Sequence, residues 1–224
     1  YNGSEYLKSE IRFRPTGDHV KGLKLPLTVY SDCYVRMDLG SDTSKERVKR
    51  NTVVYVTCPT NNLNNATMYL YPSKLFTTIG DVNGGQVGHF APDQGSFAGA
   101  PKLRELVFAT SNNTTLNTGM TGGLNFSANP LLEKLYIANL LSYNNDLNLS
   151  GCPSLVEIDA TNSAFTGITI ADGAPTQKIV LNNPSSLYLS DLHELQELNI
   201  KSYNRLNTLT LNNIDNDNIK TKNL

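Results

Sequence analysis

A mainly β chain, wound as a solenoid of short parallel strands behind a small antiparallel cap, is the fold class this sequence predicts. Three observations predict it. A leucine-type pattern recurs five times between residues 101 and 211. Each recurrence is followed by a second short apolar-x-apolar triplet. The segments between the triplets, such as "LLSYNND" and "TNSAFTG", are too short for a long helix and rich in turn-forming residues.

Residues 1–72 precede the repeat. Their runs "LKLPLTVY", "CYVRMDL", "NTVVYVTC" and "ATMYLY" are β-rich and separated by turn residues. They predict an antiparallel β-rich N-terminal cap module that closes the first coil, because an open solenoid end exposes core. Within it, "SDTSKERVKR" (Ser41 to Arg50) is charged enough to predict a short helix or an exposed loop. "KLFTTIGD" (Lys74 to Asp81) predicts an irregular coil that joins the cap to the array.

Residues 73–224 carry the solenoid. The repeating units are "PKLRELVF", "PLLEKLYI", "PSLVEIDA", a shortened "PTQKIVL" and "HELQELNI". The second triplets are Leu124-Asn-Phe126, Leu147-Asn-Leu149, Ile168-Thr-Ile170, Leu187-Tyr-Leu189 and Leu209-Thr-Leu211. About five coils of ~21 residues result, a period in the leucine-rich-repeat range. The array is therefore leucine-rich-repeat-like, but with little helix. In a strand, residues i and i+2 share one side. The apolar pairs, from Leu106 and Phe108 to Leu209 and Leu211, are thus expected to point inward.

The middle residues then form two outward columns. One holds Val107, Tyr136, Asp159, Val180 and Asn199; the other holds Asn125, Asn148, Thr169, Tyr188 and Thr210. Strand faces of solenoids are rigid and vary without disturbing the core, so binding is often placed there. Aromatic residues with a polar tip carry much of the contact energy at such surfaces. Tyr136, Asp159, Tyr188 and Asn199 are the candidate contact residues. The competing structural reading is that each merely shields neighbouring strands.

Composition excludes several other functions. A net charge of -1 argues against electrostatic binding to nucleic acid. No apolar run reaches the roughly 18 residues a spanning helix needs, so no membrane insertion is expected. Cys33, Cys58 and Cys152 are too few and too scattered for a disulfide framework or a zinc site, and read as buried free thiols. His19, His89 and His193 lie far apart. "GDVNGGQVG" (Gly80 to Gly88) lacks the lysine and hydroxyl residue of a phosphate loop. "GSFAG" (Gly95 to Gly99) has its serine one place early for a nucleophile elbow. "DNDN" (Asp215 to Asn218) lacks the glycine and glutamate of a calcium loop. No catalytic residue, cofactor or metal is expected. The chain does not begin with Met, and it reads as a segment of a longer protein.

The blocks "MYLYPSKLFTTIGDV", "APKLRELVFATSNN", "NPLLEKLYIANL" and "LNLSGCPSLVEIDA" occur in an order that resembles virion structural proteins of crAss-like Bacteroides phages. In particular, the chain looks like a domain of their tail muzzle-type protein, over roughly residues 52 to 211. The resemblance implies a non-enzymatic structural and protein-protein interaction role in a phage tail. Its partners would be other tail subunits or a host surface ligand, within a homo-oligomeric assembly. The implied location is the virion, assembled in the host cytoplasm. The alternative is the repeat domain of a Bacteroidetes cell-surface adhesin with BspA-like repeats.

Overall fold

The computed structural model of the chain describes residues 10–15, 24–39, 42–57, 67–80, 90–92, 95–109, 123–138, 140, 144–201, 204–215 and 220–222. The N-terminal part contributes β1 (Ile11–Pro15), β2 (Lys24–Val29), β3 (Cys33–Leu39), β4 (Asp42–Val48), β5 (Val54–Thr57), β6 (Met68–Tyr71), β7 (Phe76–Ile79) and β8 (Phe90–Pro92). An antiparallel sheet runs in the order β4-β3-β6-β1-β8. Alternation explains its inner face: Cys33, Val35, Met37 and Leu39 of β3 are buried, while Tyr34 is exposed.

Where a short helix or exposed loop is expected over residues 41–50, residues 42–48 form β4, which pairs with β3 from Cys33↔Val48 to Leu39↔Asp42. It lies at the sheet edge, so charged side chains stay in water while the backbone completes a ladder. The expected coil at residues 74–81 is likewise a strand over its middle. β7 pairs antiparallel with β2 and parallel with the first strand of the array. It is the place where the antiparallel part becomes the parallel part.

The array alternates between two parallel sheets. To the first it gives β9 (Glu105–Ala109), and to the second β10 (Leu124–Asn125); then follow β11 (Lys134–Ala138) and β12 (Leu147–Leu149), β13 (Glu157–Asp159) and β14 (Gly167–Ile170). β15 (Lys178–Leu181) and β16 (Ser186–Ser190), β17 (Glu197–Ile200) and β18 (Thr208–Asn212), and finally β19 (Lys220–Lys222) complete it. The first sheet is ordered β19-β17-β15-β13-β11-β9-β7-β2-β5, and the second β10-β12-β14-β16-β18. Leu124, Leu147, Ile168, Leu187 and Leu209 stack in register in the second sheet, which gives steps of 23, 21, 19 and 22 residues. The solenoid predicted from sequence is therefore the observed fold. No α-helix occurs among the described residues, and none is long and apolar enough to cross a membrane.

Successive coils are tied by buried polar side chains. Asn129 Nδ2 donates to the carbonyls of Phe97 and Ala100 at 3.0 and 2.8 Å. The Cys152 thiol lies 3.2 Å from the Phe126 carbonyl, and Ser163 Oγ donates to the Ile137 carbonyl at 2.7 Å. In the shortened coil Thr176 is buried, and its hydroxyl donates to the Leu155 carbonyl at 2.9 Å. Each bond links a side chain to a carbonyl of the preceding coil, and the carbonyls of Phe97, Ala100 and Phe126 also accept a backbone N–H within their own turns. Cys33 and Cys152 are buried free thiols, and burial pushes Cys152 up to about 12. Cys58 lies outside the described residues.

Exposure departs from the inward and outward pattern at two places. Leu209 and Leu211 are in register with the buried Leu187 and Leu189, yet they are 38% and 42% exposed. β18 ends the second sheet, and no further described strand covers it. Val107 and Val180 sit in the outward column but are only 3% and 4% exposed: Val180 lies between Asp159 and Asn199, and Val107 lies beside Tyr136 with the Gly80 backbone packed close against it.

Candidate functional site

The outward face of the first sheet stacks Val107, Tyr136, Asp159, Val180 and Asn199 strand by strand. Beside this column runs a second that sequence reasoning missed: Glu105, Lys134, Glu157, Lys178 and Glu197. Their signs alternate at every step. Opposite charges on adjacent strands attract, whereas like charges there would repel. The signal was present in the sequence, as the residue before each first leucine-type position.

Glu157 is the centre of this ladder. One carboxylate oxygen accepts from Lys178 Nζ at 2.6 Å and the other from the Tyr136 hydroxyl at 2.6 Å. Burial alone would raise this carboxyl, but the bonds from Lys178 and Tyr136 outweigh it and hold the group below the ordinary carboxylate range. The same bond raises Lys178. Burial first, and then Glu157, push the Tyr136 hydroxyl well up. Asp159 is engaged locally: its Oδ1 accepts from the Thr161 backbone N–H at 3.0 Å and from the Thr161 hydroxyl at 2.5 Å. Asn199 Oδ1 is hidden from solvent and accepts no hydrogen bond.

Tyr188 lies on the other sheet, so the structure does not gather the four candidates at one place. It stacks with Asn125, Asn148, Thr169 and Thr210. Next to them runs a column of small residues, Gly167, Ser186 and Thr208, which lines a groove of about 460 Å³ together with Asp146. Tyr188 is 45% exposed in this groove. Asp146 Oδ1 accepts from the Thr166 hydroxyl at 2.7 Å, and a side chain on Gly167 would come within 2.8 Å of that oxygen. The missing Cβ keeps the groove open. Asn125 and Asn148 turn their Oδ1 atoms back to the N–H groups of Ser127 and Ser150, 2.8 and 3.0 Å away. They cap turns, which explains part of the asparagine content. No lysine, arginine or glutamate lines the groove.

Comparisons with family models, with curated proteins and with solved structures returned no match. Among the described residues no cluster of three or more His, Cys, Asp or Glu could hold a metal ion. His193 Nδ1 is 3.4 Å from Asp215 Oδ2 at an exposed position. His19, His89, residues 81–88 of the glycine-rich stretch and residues 216–218 of "DNDN" lie outside the described residues. Ser96 of "GSFAG" bridges to Asn125, which extends the second sheet ahead of β10.

Proposed function

We propose that this chain is a non-enzymatic structural and protein-interaction module of a phage tail, and that it makes its contact through the outward face of the second sheet. The observation that carries the contact assignment is the groove around Tyr188. A half-exposed aromatic with a polar tip stands there on a rigid ladder, flanked by small hydroxyl and amide side chains. Such a surface offers apolar area at low entropic cost and hydrogen bonds at its margin. On the first sheet the corresponding groups already serve the fold: Tyr136 is bonded to Glu157, and Asp159 to Thr161. The tail assignment itself rests on the order of sequence blocks described above. The partner is a sister tail subunit or a host surface ligand.

The test is a pair of substitutions in the phage. Tyr188→Ala should impair tail assembly or adsorption while the isolated chain melts within about 0.5 kcal/mol of the parent, as exposed positions usually do. Tyr136→Ala should instead lower the melting temperature. Full infectivity of Tyr188→Ala particles would remove the groove as the contact. Immunogold labelling of virions, set against intact bacterial cells, separates the tail reading from the adhesin reading.

A further inference from the structure

We infer a second site, independent of the Tyr188 groove: an anion pocket where the antiparallel strands join the array, shaped for a sulfate or phosphate group. It begins with a β-bulge. β2 and β7 pair as Thr28↔Thr78 and Val29↔Phe76, so Thr77 is the extra residue between them. The bulge turns two threonines toward the side of one, and Thr28 Oγ1 and Thr77 Oγ1 lie 2.8 Å apart. Bulges of this kind re-aim side chains and occur often beside functional sites.

Two guanidinium groups complete the pocket. Arg50 arrives on a turn whose next residue, Asn51, has φ of 55° and donates its N–H to the Val29 carbonyl at 3.1 Å. Arg104 arrives just before β9, where its N–H donates to the Thr77 carbonyl at 2.8 Å. Together with Asn51 and the three threonines, these arginines line a cavity of about 420 Å³. Its lining contains two positive charges and no carboxylate. Tyr30, 52% exposed, closes one wall, with the Arg50 guanidinium 5.9 Å and the Lys102 ammonium 4.7 Å from its ring centre. The ring holds two cations beside the pocket by cation–π attraction.

Two carboxylates lie beside the arginines of the pocket, outside its lining. Asp32 accepts the backbone N–H of Arg50 at 2.8 Å, and Glu133 pairs with one edge of Arg104. Five N–H donors on each guanidinium leave a fork for a second acceptor. Fork-shaped cations beside the one hydroxyl proton that the Thr28–Thr77 pair leaves free match the several oxygens of a tetrahedral oxyanion. A flexible ammonium alone would not fix that geometry.

The two sources of such a group are the free ion and an ester on a sugar. The test is to titrate the whole isotope-labelled chain at low salt with inorganic phosphate, inorganic sulfate, glucose 6-phosphate and glucose 6-sulfate, and to follow the backbone amides of Thr28, Thr77 and Thr78. Saturable shifts that weaken with added chloride are expected. Arg50→Gln, which leaves the Arg104–Glu133 pair intact, should weaken binding by about tenfold or more, and Arg50→Gln/Arg104→Gln should abolish it. Lys201→Gln, at the far end of the array, should bind like the parent. Tighter binding of the esters assigns the pocket to a substituted sugar, and equal binding assigns it to the free ion. Absence of saturable shifts at these amides, or unchanged affinity in the folded Arg50→Gln variant, would overturn the inference.

Discussion

Glu157 serves two partners with one carboxylate, and the consequence is measurable as a pH dependence. Its folded value lies below the ordinary one, so its bonds stabilise the fold fully above the unfolded value of about 4.3 and lose that contribution as pH falls through the folded value. Glu157→Gln should cost about 1–2 kcal/mol at pH 7, and the gap to the parent should close as melts are recorded below about pH 4. A constant gap from pH 7 to 3 would show that the ionic form contributes nothing. Tyr136→Phe removes the second bond and should cost about 1 kcal/mol in the same assay. Asn199 differs from both. Its hidden amide oxygen has no partner, so Asn199→Val should be neutral or stabilising in the melt. The column position of these residues was legible in the sequence as a period-two pattern. Their engagement was not, because the partners lie one coil away and no local pattern names them. Tyr136 and Glu157 are separated by 21 residues.

Each coil holds itself by close approach to the next, which is why turn positions matter as much as leucines. A Cβ built on Gly151 would lie 1.8 Å from the Ser127 carbonyl oxygen in the preceding coil. Gly151→Ala must move backbone, and should cost more than about 2 kcal/mol in chemical denaturation, well beyond an ordinary surface change. Ile168 and Leu187 are buried at the centre of the second sheet, and Ala at either should cost about 2–5 kcal/mol. Leu209→Ala, by contrast, should cost less than about 1.5 kcal/mol, because the side chain it truncates is already 38% in water. Equal losses at Leu187 and Leu209 would mean that the last coil is covered in solution. The apolar triplets made most strands of the array readable. β4 and β7 were not readable in that way. The first is a charged edge strand held by its backbone ladder, and the second owes its strand form to neighbours on both sides.

The whole molecule is one continuous core, from Ile11 in the cap to Ile200 near the end of the array. Its two ends differ. Residues 95–97 continue the second sheet ahead of β10, and Phe97 stacks on Phe126 with ring centres 4.6 Å apart. At the other end, among the described residues, β18 has a neighbour on one side only. In a stack stabilised by nearest neighbours, such an end opens first. Backbone amides of β18 should therefore exchange with deuterium faster than those of β12 and β14, and uniform protection along the sheet would contradict this. Sequence by itself determined the coil, because a triplet with apolar residues at i and i+2 has one way to bury them and a repeat near 21 residues has one way to stack. It determined the two outward columns for the same reason. Only the tertiary structure decided which of those outward groups are free. Register brings Glu157 beside Tyr136 and Lys178, and a bulge in a strand before the repeat sets three threonines beside two arginines. These are contacts between residues far apart along the chain, and they form only once the ladder has fixed which strand lies next to which.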